Sequence, residues 1–127
     1  MGVSNLEIIV YTTNIITQTP ISTYSSITQR NIVLDTADNL TQIGHWALEC
    51  FGKEKDRIEL FLTLTRKNLD ALEGYPLSAS FGPDFNRVRR NFHKLEEEYR
   101  SGIVDRTIWG NGMLKWGSTL TRSSEFI

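Results

Sequence analysis

The chain has 127 residues with a formal net charge of −1, and 39% of its residues are hydrophobic against 23% charged. These proportions suit one globular domain with a single core, and they exclude a global basic field drawn to nucleic acid or an acidic excess drawn to a cationic partner. The single cysteine, Cys50, excludes an intrachain disulfide, and with only His45 and His93 as histidines a Cys/His zinc site is not expected.

No apolar run reaches the length of a membrane span, and no basic region precedes "LEIIVY" as a secretory signal would require. The expectation is therefore a cytoplasmic chain with no membrane partner, no cofactor and no metal.

Charge divides the chain unevenly. Residues 1–34 hold two charged side chains, Glu7 and Arg30, whereas the remaining 93 residues hold 27. The first part is rich in Ile, Thr and Ser, and β-branched side chains favour extended backbone. "LEIIVY" reads as a short strand, and "TPIST" as a break after a second extended piece around Ile15 and Ile16. Residues 1–34 are thus expected to form an extended or weakly β arm, either flexible or paired with a partner's sheet edge, and residues 35–127 a helical bundle.

From Asp35 the pattern becomes helical. Asp35 and Thr36 suit an N-cap, and Leu40, Ile43, Ala47 and Phe51 follow at spacings of three and four. Gly52 falls where a left-handed glycine would end this helix. Gly44 within it weakens the helix, which points to close approach of another helix or of a partner. His45 and Cys50, five residues apart, diverge by about 140° on a helix, so they do not form a nucleophile–base pair.

A second helix is predicted over roughly residues 54 to 73, with Ile58, Phe61, Leu62, Thr65, Leu69 and Leu72 as its stripe. Gly74 and Pro76 stop it. "YPLSASFGP" is a loop, and Asp84 is expected to cap a third helix that Gly102 ends. Its seam is Phe85, Val88, Phe92, Leu95 and Tyr99. The last element, "DRTIWGNGMLKWGSTL", carries two signals. Trp109, Met113, Trp116 and Leu120 share a helical face, while Asn-Gly within "GNG" is a hairpin turn signal. The aromatic spacing favours a helix. The fold class expected is all-α, a small antiparallel bundle of three to four helices.

The third helix concentrates the chemistry. Four cations, Arg87, Arg89, Arg90 and Lys94, stand within two turns, followed at once by Glu96, Glu97 and Glu98. A solvated face with partial charge pairing accounts for this run, and a local nucleic-acid-binding patch is the sharper reading. On a wheel at about 100° per residue, Arg87 and His93 each lie about 120° from the seam, on opposite sides.

The spacing Arg87-x5-His93 resembles the Arg-x4–6-His motif of HEPN-type ribonucleases, which are helical bundles of similar size. The resemblance covers seven residues. It implies an arginine and a histidine meeting at a dimer interface to act on an RNA phosphodiester, with histidine moving the proton and arginine facing the phosphate. The chain departs from that pattern at Val88, where the family's residue after the arginine is usually polar.

Trp109, Met113 and Trp116, with Trp46, are either core or an exposed aromatic surface that anchors a partner. With no Gly-rich phosphate loop, paired-carboxylate metal motif or nucleophile elbow in the sequence, the leading expectation is a non-enzymatic interaction, regulatory or assembly subunit. Its partner would be another protein or a second copy, with Gly44, Trp46, Trp109, Met113 and Trp116 as interface candidates. The alternatives are the HEPN-like RNA-acting bundle and a nucleic-acid-binding bundle.

Overall fold

The computed structural model describes residues 18–127, with side chains from residue 27 onward. Four helices follow one another: α1 (Gln18–Cys50), α2 (Lys55–Leu72), α3 (Phe81–Ser101) and α4 (Arg106–Ser123), ending in a 3-10 turn (Ser124–Phe126). The expected strand at "LEIIVY" and the piece around Ile15 and Ile16 lie outside the described residues. Among those described the fold is all-α. No helix of the described residues is long and apolar enough to cross a membrane.

α1 begins well before Asp35. Residues 18–34, expected as part of an extended arm, are helical, and Asp35 and Thr36 are interior positions rather than caps. Pro20 falls in the first turn, where its missing N–H is no loss, so "TPIST" starts a helix instead of breaking one. Packing outweighs β-branched propensity here, because Val33, Thr36 and Ala37 are buried and extend the stripe of Leu40, Ile43 and Ala47. The Thr36 and Thr41 hydroxyls stay satisfied within the helix. Thr36 donates to the Ile32 carbonyl at 2.7 Å and Thr41 to that of Ala37 at 2.9 Å.

Gly52 does not end α1 in a left-handed conformation; Gly102 is the one glycine with positive φ among the described residues. The chain instead makes a further turn, with the Glu54 amide donating to the Cys50 carbonyl at 3.0 Å. α3 also starts earlier than expected. The Ser78 hydroxyl accepts from the Phe81 amide at 3.0 Å, and Asp84 sits inside the first turn, where its charge suits the helix dipole. α4 is a helix, not a hairpin. Its N-cap is Asp105, whose carboxylate accepts from the Ile108 amide at 3.0 Å.

The helices run antiparallel, with α1 packed on both α4 and α2, and α3 packed on α4. Glycine sets the α1–α4 distance. A β-carbon at Gly44 would lie 2.6 Å from Leu114 Cδ2 and 2.9 Å from the Gly110 carbonyl oxygen; one at Gly117 would lie 3.0 Å from the Ala37 carbonyl oxygen. These are contacts that no side-chain adjustment removes, because each includes backbone.

Trp109 and Met113 are 0% exposed and Trp116 is 8% exposed. Of the two readings of this stripe, core or partner-anchoring surface, it is the chain's own core. Its spacing places it on α4's inner face, against α1 and α3. Trp109 also satisfies its indole N–H, which donates to the Leu95 carbonyl at 2.9 Å. Gly44 is likewise buried against α4 and is not on a surface that a partner reaches. Trp46 alone of these candidates stays half-buried, with its ring edge-on to Phe61 at 5.0 Å and the Arg57 guanidinium 5.9 Å from its centroid.

Candidate functional site

α2 and α3 face each other without close backbone packing, and side chains bridge the gap. Glu96, 4% exposed, accepts from Arg66 across the gap and pairs with Arg100 on its own helix at 3.2 Å. Arg89 pairs with Glu73 across one end of the seam. At the other end the Tyr99 hydroxyl donates to Glu59 Oε2 at 2.8 Å. Burial, then the Glu59 carboxylate that accepts this hydrogen bond, hold the Tyr99 phenol well above its ordinary range.

Between these struts runs a furrow. The part beside Arg90 has a volume of about 380 Å³, with Leu69 and Phe92 at its base and Arg66, Arg89, Arg90 and His93 among its walls. Two further hollows, one lined by Leu62, Tyr99 and Arg100 and the other by Lys55, Ile103 and Arg106, adjoin it along the α2–α3 seam, with the Arg66–Glu96 and Tyr99–Glu59 pairs crossing between them. Six cations line it, Lys55, Arg66, Arg89, Arg90, Arg100 and Arg106, against three carboxylates, Glu59, Asp70 and Glu96. Lys55, Arg90 and Arg106 have no ion pair among the described residues, although Arg106 lies 4.6 Å from the Phe51 ring centroid. This seam is locally cationic in a chain of net charge −1.

The candidate residues of the third helix separate into two groups. Arg89, Arg90 and His93 come together in the furrow, facing α2. Arg87 does not join them. It donates to Asp84 Oδ1 at 3.0 Å, and Asp84 Oδ2 accepts from Ser123 of the α4 terminus at 2.5 Å, which places Arg87 on the α4 flank. Arg87 and His93 therefore diverge within one chain, and their meeting requires a second copy. His93 is exposed, with Glu97 Oε2 3.5 Å from its Nε2. Lys94 is exposed and outside the furrow lining. Of the four cations expected as a nucleic-acid patch, two already hold carboxylates: Arg87 with Asp84 and Arg89 with Glu73.

His45 is exposed and Cys50 half-buried, with no hydrogen bond between them. Among the described residues no three His, Cys, Asp or Glu side chains are grouped to hold a metal. Sequence reasoning missed Arg66, Asp70, Lys55 and Arg106 as members of the site. Each reads alone as an ordinary solvated charge, and their only early signal was position beside the α2 stripe or at the start of α4.

No protein-family model matches this chain, and neither the curated proteins nor the solved structures contain a significant match to it.

Proposed function

We propose that this chain is a non-enzymatic interaction module, a regulatory or assembly subunit that recognises a protein partner through its α2–α3 side. The observation that supports this reading is the furrow itself. It combines half-buried apolar side chains, Phe51 and Ile103, with lining cations that have no ion pair among the described residues, Arg90 above all. Half-exposed apolar side chains supply affinity by burial, while cations without an ion pair supply orientation and association rate.

Selection from a displayed library of random peptides tests the proposal. Peptides should be recovered that bind the native chain and lose binding to Arg90→Glu, while keeping it for Arg122→Glu on α4. Recovery of no peptide, or only of peptides indifferent to Arg90→Glu, overturns it.

A further inference from the structure

We infer that the α2–α3 furrow is a docking site for an acidic amphipathic helix of a partner protein, laid along the seam. The inference rests on the interaction reading above and adds the chemistry of the partner. Three features of the furrow select this occupant.

The first is charge. Cations are distributed over the furrow's whole length: Arg89 and Arg90 at one end, Arg66 and Arg100 in the middle, Lys55 and Arg106 at the other. A partner with carboxylates on both flanks meets cations along the seam. Of these, Lys55, Arg90 and Arg106 have no ion pair among the described residues, while Arg66, Arg89 and Arg100 already hold Glu96 or Glu73. The second is backbone. Both walls are helices whose N–H and C=O groups are already paired within each helix, so an extended segment would find no main-chain partners there. A helix satisfies its own backbone and presents side chains at i, i+3, i+4 and i+7 to a groove between two other helices. The third is the floor. Leu62 and Leu69 are one heptad apart on α2, and Phe92 faces them from α3, all three buried at the base of the furrow. These three close the base and are too buried to be touched, so the apolar surface open to the incoming helix is that of half-buried Phe51, Tyr99 and Ile103 at the Lys55–Arg106 end.

Single-stranded nucleic acid suits the furrow less well. Phe92 is too deeply buried to offer a face to a base, and Tyr99 is held by Glu59.

The test uses the full chain and three fluorescent probes read by anisotropy. One is a capped peptide of about 18 residues, matching the length of α2, with leucines on one face and glutamates flanking them. The second replaces each glutamate by lysine, and the third is an oligouridylate. The acidic peptide should bind at least about tenfold more tightly than the lysine peptide, gain helical circular dichroism on binding, and weaken with salt. Arg90→Glu and Arg106→Glu should each weaken it roughly tenfold, whereas Lys94→Glu, outside the furrow, should change it less than about twofold. Equal binding of the two peptides, no gain of helicity, or no effect of Arg90→Glu overturns the inference. So does oligouridylate binding that depends on Arg90 while the acidic peptide does not bind. If library selection yields furrow-dependent peptides that are basic or non-helical, the interaction reading stands and this inference alone falls.

Discussion

Along α1–α4, a β-carbon added at Gly44 would come within 2.9 Å of a carbonyl oxygen of the facing helix; along α2–α3, the helices are held apart by Arg66–Glu96, Arg89–Glu73 and Tyr99–Glu59. The first seam is buried and set by glycines, and its distance is fixed by backbone contact. The second is set by long side chains whose ends reach water. The difference shows how a small bundle can place its stability on one side and leave the other free to recognise something. Close apolar packing tolerates little change, whereas half-exposed ion pairs exchange readily for water or for a partner's charges.

The largest effect is expected at Gly44. Gly44→Ala should destabilise by about 2–3 kcal/mol through overpacking against the Gly110 backbone, read as a lower urea midpoint. Gly52→Ala, where an added β-carbon meets nothing within 4 Å and φ is not positive, should leave the midpoint unchanged or raise it slightly. Equal losses at the two sites would mean that the α1–α4 distance is not set by glycine.

On the α2–α3 side, Glu96→Leu should shift stability by no more than about 1 kcal/mol despite the burial of that carboxylate. Its partners Arg66 and Arg100 have side chains 42% and 57% exposed, so both can turn to water when it is gone. A loss as large as that of Gly44→Ala would make this seam a second structural keystone. Arg89→Ala should have a smaller effect, about 0.5 kcal/mol or less, because both members of its pair are 44% exposed.

The smallest effect is confined to alkaline solution. The Tyr99 phenol is raised in the folded chain by burial and by Glu59, so folding favours its protonated form. Its contribution is fully present below the unfolded value of about 10 and is lost as pH rises above it. Urea midpoints measured on either side of pH 10 should therefore fall less steeply for Tyr99→Phe than for the native chain.

Much of this was legible beforehand. In α2, the buried set Ile58, Leu62, Thr65, Leu69 and Leu72 is the predicted stripe, with Phe61 half-buried beside it. In α3, Phe85, Val88 and Phe92 are buried as the seam required, and Leu95 and Tyr99 are half-buried at its margin. The wheel also placed Arg87 and His93 on opposite flanks, where they are found. The start of α1 was misread for a local reason: Ile and Thr favour strands, Asp35 looks like a cap, and neither signal registers the burial of Val33 and Thr36. Gly44 marks a point of close approach in the sequence, and the approaching helix is the chain's own α4.

By itself, the sequence determined which side of each described helix turns inward, because periodicity is a local property that burial rewards directly. It also contained the signals that end α2 and α3. Only the tertiary structure decided which helices are neighbours. The furrow depends on that choice: Arg66 and Glu96 are 30 residues apart, and Tyr99 and Glu59 are 40 apart. Such pairs leave no period or spacing in the sequence. Their geometry comes from the antiparallel turn between α2 and α3 and from the glycine contacts that draw α4 onto α1, leaving the opposite seam wide.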